Sequence, residues 1–223
     1  MPLSPEVLRR LAEYSTPTLC NAIEEFKVRP RNRGFMGPQI RCAYPDMPPM
    51  VGYAVTATIS AAQPDSNHRG PSRAAFWDYV LTVPAPRVVV IQDLDPVPVG
   101  SYWGEVQANI HRALDCVGAV TNGGVRDVDE VRALGFQFFS SCLLVSHAYV
   151  HLVDFGGTVT VGGLEVSSGD LLHGDQHGVT TVPEEIASRM EEGVAKVAAR
   201  EQRIFEACRA RPFDLERVKT LYS

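Results

Sequence analysis

The chain has 223 residues, 45% of them hydrophobic and 21% charged. That excludes bulk disorder, allows a sizeable packed core and suits one domain over residues 1–223. The 26 acidic and 21 basic residues leave a net charge of −5, which offers no electrostatic footprint for nucleic acid.

The first residues, MPLSPEVLRRLAEYS, lack an apolar core of signal-peptide length, and no apolar stretch reaches bilayer-spanning length. The five cysteines (Cys20, Cys42, Cys116, Cys142, Cys208) are odd in number and never form a CxxC pair. Reduced thiols in a cytoplasmic protein are expected, not a disulfide framework or a zinc-thiolate site.

Leu3 to Tyr14 predicts an amphipathic helix, with Ser4 as cap and Pro5 in the first turn. Thr16-Pro17-Thr18 opens a second helix. Residues 27–50 are rich in Pro, Gly and Arg without a period and read as a long irregular connection. Val51 to Ile59 alternates as a strand. Residues 60–71 form a polar loop, and Ala74 to Leu81 is helical. RVVVI at Arg87 to Ile91 has the apolar run of a strand buried on both faces. A loop leads to a helix from Glu105 to Leu114. A second buried strand spans Val117 to Thr121, and Asn122-Gly123-Gly124 turns into a helix marked by Val128, Val131 and Leu134. Phe136 to Phe139 starts a third strand. Strand–helix–strand–helix–strand is the pattern of parallel pairing with crossover helices. Tyr149 to Val166 predicts antiparallel strands, Leu171 to Pro183 a turn-rich edge, and Glu184 to Arg209 one long helix. The whole is expected to be α/β, a mixed sheet with flanking helices.

Ligands of open α/β sheets sit outside the carboxyl ends of the strands. Two strand-to-helix joints fall there, Trp103-Gly104-Glu105-Val106-Gln107 and Gly123-Gly124-Val125-Arg126-Asp127. The first opens a helix whose unpaired amides could receive a small carboxylate, with Gly104 removing the obstructing side chain. Arg126 offers a planar fork for a carboxylate or a developing enolate. Asp127 is a hard oxygen ligand for Mg²⁺ or Mn²⁺. Glu130 lies one helical turn on and could hold a metal-bound water. The same residues also read as plain structure: Asp127 and Glu130 as a capping box, Gly104 as an N-cap, Arg126 as a surface arginine.

Other positions carry weaker signals. His147 and His151, near Asp154, have the spacing of a metal cluster but sit in strand-like sequence. Asp170, His173, Asp175 and His177 lie in what reads as a polar turn making loop hydrogen bonds. Asp93 and Asp95 follow a buried strand and fit turn-making. His68 and Arg69 sit in a polar loop without a specific signal. Trp77 and Trp103 read as packing residues. Ser140-Ser141 lacks the GxSxG context of a hydrolase, and neither GGV nor VGG supports a dinucleotide or methyl-donor site.

The run WGEVQANIHRALDCVGAVTNGGVRDVDE resembles the class II pyruvate aldolases of the 4-hydroxy-4-methyl-2-oxoglutarate type, whose superfamily also holds the RraA-like regulators of ribonuclease E. The resemblance extends from about Thr16 to Pro183. It implies a compact α-β-β-α sandwich, RraA-like and akin to swivelling phosphohistidine domains, forming homotrimers or homohexamers with sites near subunit contacts. It implies that the backbone of Gly104, Glu105, Val106 and Gln107 holds the pyruvate moiety and that Arg126 contacts the same substrate. Asp127 would be the direct ligand of a divalent Mg²⁺ or Mn²⁺, and Glu130 would act through water. Asn21 and Asn122 stand where many relatives carry Asp, and the chain is longer than compact members.

The reaction this implies is cleavage of a 4-hydroxy-2-oxoacid to pyruvate and a second oxoacid, with oxaloacetate decarboxylation alongside. The metal would act as Lewis acid, Arg126 would stabilise the enolate, and a metal-bound water would be the base. The competing reading is a non-catalytic RraA-like protein that binds and inhibits a ribonuclease.

Overall fold

The computed structural model describes residues 2–66 and 70–222; His68 and Arg69 of the polar loop lie outside the described residues. The chain opens with α1 (Pro5–Leu11) and α2 (Thr16–Phe26). Ser4 and Ser15 cap them, accepting from Val7 N and Thr18 N, and each helix has proline in its first turn. Lys27 in the left-handed region closes α2.

Next come β1 (Arg41–Cys42), β2 (Met50–Ser60), α3 (Arg73–Val80), β3 (Arg87–Asp93), α4 (Glu105–Ala113), β4 (Cys116–Thr121), β5 (Gly124–Val125), α5 (Val128–Ala133), β6 (Gln137–Ser140) and β7 (Cys142–Leu143). The chain ends with β8 (His151–Phe155), β9 (Val159–Val161), β10 (Leu164–Val166), β11 (Leu171–Asp175), β12 (Gly178–Thr181), α6 (Glu184–Ala187), α7 (Met190–Arg209) and α8 (Leu215–Tyr222).

The main sheet runs β1-β6-β4-β3-β2-β11-β12. Its centre, β2-β3-β4-β6, is parallel, as the alternation of strand and helix predicts. β1, β11 and β12 are antiparallel to their neighbours, so the sheet is mixed. β2 is long enough to serve two partners along one edge, β11 beside Met50–Tyr53 and β8 beside Ala57–Ser60.

Both faces of the sheet are covered. Val89 and Ile91 of β3 pack with Leu11, Leu19, Phe76, Ala108 and Val131 from the helices. Val88 and Val90 point the other way, onto Met36, Ile40 and the β9–β10 hairpin. This explains why β3 shows an unbroken apolar run and not an alternating one. The sandwich expected from the sequence therefore has helices outside one face and a small β layer outside the other, with α7 packed across α2.

Three expectations are corrected. Leu171 to Pro183 does end the sheet, but as a pair of strands and not as turns: β12 is the outer strand, while β11 is buried at all five positions and paired on both sides. A glycine sits inside this strand because a Cβ at Gly174 would meet the Phe139 ring at 2.8 Å. The single helix over Glu184–Arg209 is broken at Ser188-Arg189 into α6 and α7, and α8 follows it. Two residues of the irregular connection, Arg41 and Cys42, pair with β6.

Candidate functional site at the carboxyl ends of β3 and β4

The loops that leave β3 and β4 are stitched together side by side. Trp103 and Val125 form a parallel bridge, and Arg126 N donates to Trp103 O at 3.3 Å. Ser101 is buried, and its hydroxyl lies 2.5 Å from Trp103 O and 2.8 Å from Gly124 O. Asn122 adds a two-way clasp: its Oδ1 accepts from Asp93 N at 2.7 Å and its Nδ2 donates to Asp93 O at 2.8 Å. An aspartate there could accept but not donate, so the asparagine is matched to the backbone it holds.

The most informative contact crosses between the loops. Asp127 Oδ2 accepts from Glu105 N, the first amide of α4, at 3.0 Å, and lies 3.7 Å from Arg126 Nε. Asp127 has φ 54°, a left-handed conformation that a short polar residue tolerates and that often marks a functional position. Although it sits at the N-cap of α5, its side chain makes no capping bond there. The capping-box reading is thus not what the structure holds, because the carboxylate is turned to the neighbouring helix.

Gly104 has an extended backbone that any residue could adopt. Its smallness matters for a different reason: a Cβ would lie 2.5 Å from Asp127 Oδ2 and 3.2 Å from Arg126 Nε. The glycine makes room for the protein's own carboxylate at the helix N-terminus. The next two amides of α4, Val106 and Gln107, have no protein acceptor among the described residues.

These groups line a cleft of about 200 Å³ together with Arg73, Ser101, Tyr102, His147 and Val150. Of the residues singled out in the sequence, Gly104, Val106, Gln107, Arg126 and Asp127 meet here. Glu105 contributes its amide. Glu130 is exposed on α5 and is not among the residues lining the cleft. A larger cavity, about 260 Å³ between α1 and α7, has its arginine, Arg10, neutralised by Glu6 and Glu191.

Arg73, Tyr102 and His147 are residues that pattern reading did not assign to this site. His147 Nδ1 lies 2.7 Å from Ala148 O, which places the proton on Nδ1 and leaves Nε2 as an acceptor. His151 bonds separately to Tyr149 O, and among the described residues no group of three or more His, Cys, Asp or Glu could hold a metal. Asp95 is a turn-maker, accepting from Ser60 Oγ, Ala61 N and Ala62 N. Asp93 is buried, and burial raises its pKa above the usual carboxylate range.

His173 and Asp175 are buried on β11, where they pin the start of α2, and are not turn residues. Thr16 Oγ1 lies 2.9 Å from His173 Nδ1, and Thr16 N donates to Asp175 Oδ2 at 2.9 Å. Burial pushes the His173 pKa down to about 4. Burial acts to raise Asp175, but the amides of His177 and Thr16 outweigh it and hold the carboxyl below its ordinary value. Trp103 is buried among Phe136, Phe138 and His111, a packing role as expected.

Fold and site together define an α/β protein with a small charged cleft where two parallel βα units meet. Residues 16–181 match the RraA-like family, Aldolase/RraA, and the chain belongs to it. It is 25% identical over 162 residues to the "Putative 4-hydroxy-4-methyl-2-oxoglutarate aldolase" of Halalkalibacterium halodurans, covering 69% of this chain and 75% of that protein. Identity to Protein DlpA of Legionella pneumophila is 25% over 124 residues, 55% of this chain; the chain spans only 20% of DlpA's length. The solved structure of Streptomyces coelicolor RraAS2, described as an unusual member of the RNase ES inhibitor RraA protein family, is similar with a TM-score of 0.70 at 21% identity, over 91% of this chain and 96% of that one.

Proposed function

We propose that the protein is a divalent-metal-dependent aldolase that cleaves 4-hydroxy-2-oxoacids to pyruvate and a second oxoacid, with oxaloacetate decarboxylation as a side activity. The observation that carries this reading is the Asp127 carboxylate, held at the start of α4 beside Arg126 in a cleft with two unclaimed amides. One oxygen is fixed by Glu105 N, while Oδ1 has no partner among the described residues and suits a hard cation. A lone carboxylate fits Mg²⁺ or Mn²⁺, which keep most of their waters. A metal on Asp127 would supply Lewis-acid polarisation of the 2-oxo group.

The chain's own residues do the rest. The amides of Val106 and Gln107 and the Arg126 fork bind the 2-oxoacid end. His147 Nε2 takes the proton from the C4 hydroxyl, the C3–C4 bond breaks, and its electron pair becomes the enolate of pyruvate. Arg126 stabilises the enolate oxygen, and the proton returned to C3 releases pyruvate. His147 here takes the place of the metal-bound water expected as base from sequence alone. Glu130, being away from the cleft, would act on the metal's waters only if they extend to α5.

Supporting an assembly, Val97, Val99 and Val106 are exposed on the loop after β3 and the start of α4, and Leu143, Val145 and Tyr149 on the segment from β7 to β8 that carries His147. A homotrimer or homohexamer would bury them. Five free cysteines fit a reducing, cytoplasmic setting.

The test is pyruvate release from a panel of 4-hydroxy-2-oxoacids and oxaloacetate, with Mg²⁺ and with chelator. Asp127→Ala is expected to abolish activity and metal binding together. Arg126→Ala should keep the metal but lose turnover by about 10²–10³-fold. Normal turnover by Asp127→Ala, or release that survives chelation, defeats the reading.

A further inference from the structure

Arg73 is placed against the grain of its own helix. It is the first residue of α3, where the exposed amides favour an anion, and no acid in the first turn offsets it. Among the described residues its guanidinium has no carboxylate partner. It lies instead over the face of Tyr102, with Cζ 5.7 Å from the ring centroid. Tyr102 is 3% exposed, and its hydroxyl has no hydrogen-bond partner among the described residues. A guanidinium stacked on a buried ring is held in place with its N–H fork still free to bind.

The charges of the cleft make this pointed. Arg73 and Arg126 both line it, against the single carboxylate of Asp127. One substrate carboxylate satisfies Arg126 and the α4 amides and leaves Arg73 unanswered. Any cation brought to Asp127 deepens the excess.

Resting on the aldolase reading, we infer that Arg73 is a specificity-determining residue that binds a second carboxylate, carried on the fragment beyond the C3–C4 bond. The carboxylate on C4 of substrates of the 4-hydroxy-4-methyl-2-oxoglutarate type is then the group that Arg73 reads. Tyr102 acts through Arg73, as the platform that positions it.

The experiment uses the full chain with Mg²⁺ and two matched pairs. For turnover the pair is 4-hydroxy-2-oxoglutarate and 4-hydroxy-2-oxopentanoate, which differ in the C4 substituent. For calorimetric binding the pair is 2-oxoglutarate and pyruvate. Arg73→Ala should weaken 2-oxoglutarate and raise KM for 4-hydroxy-2-oxoglutarate by about 10- to 100-fold, with kcat little changed. Pyruvate binding and the 4-hydroxy-2-oxopentanoate reaction should be unaffected. Arg73→Lys, keeping charge without the fork or the stacking, should fall between. Equal weakening of both binding ligands, or unchanged affinity for 2-oxoglutarate, overturns the role of Arg73. Absence of pyruvate release from both substrates, with discrimination in binding intact, rejects the aldolase reading and leaves the carboxylate site standing.

Discussion

A side chain at position 104 would collide with Asp127 Oδ2 at 2.5 Å, but the atom it meets is the far end of a side chain that can swing away. Gly104→Ala should therefore cost under about 1 kcal/mol of stability, and yet lose turnover and metal affinity because the carboxylate leaves the α4 N-terminus. Thermal melting and metal titration of the same variant separate the two effects. Asn122→Asp should behave in the opposite way. It removes the bond from Nδ2 to Asp93 O and sets a second carboxylate beside one already raised by burial. A loss of about 1–3 kcal/mol at neutral pH is expected, shrinking in acid as the carboxyls protonate, measured by urea unfolding at two pH values. The pairing of Arg126 with Asp127 was legible in the sequence because the two are adjacent at a strand-to-helix joint. Arg73 was not, because it comes from a different helix and only the tertiary fold lays it over Tyr102.

At the scale of elements, two polar clamps hold helices to the sheet. Arg87 is buried and donates to Val83 O at 2.6 Å and Leu114 O at 2.7 Å, joining the ends of α3 and α4. The contact of Thr16 with His173 ties α2 to β11. Thr16→Val keeps the shape but strands the imidazole, and should cost about 1–3 kcal/mol, read as a lowered urea midpoint with unchanged m-value. β3 and β4 announced themselves in the sequence because a strand covered on both faces carries a run of apolar residues, here Val88–Ile91 and Val117–Val120. β11 did not. LLHGD carries turn-forming residue types, and only partners far along the chain make its buried His173 and Asp175 tolerable. The break between α6 and α7 was missed for a related reason: Ile186, Met190, Val194 and Val197 stay roughly in phase across it.

For the molecule as a whole, two buried imidazoles set a floor in pH. His111 and His173 are each pushed by burial from 6.5 down to about 4. Below pH 6.5 the unfolded chain takes up protons that the folded chain refuses, so stability is full above that value and declines as the pH falls towards 4. The loss is on the order of 3 kcal/mol per imidazole once both states are protonated. Asp175, held below its ordinary range, withdraws its own contribution only in stronger acid. Unfolding free energies at pH 7, 5.5 and 4.5 should fall in that order. A flat profile would mean that the two rings are hydrated in solution. The α/β class and the parallel centre followed from the order of elements alone. The small β layer over the second face did not, since Val159, Val161 and Val166 find their partners only once the sheet exists.

The bond from the Glu105 amide to Asp127 makes one backbone proton a gauge of the cleft. Its resonance depends on the electron density of that carboxylate, so anything that neutralises or chelates Asp127 moves the nitrogen-15 cross-peak of Glu105. Occupancy could be followed at that peak in an unmodified protein, without a substrate being turned over.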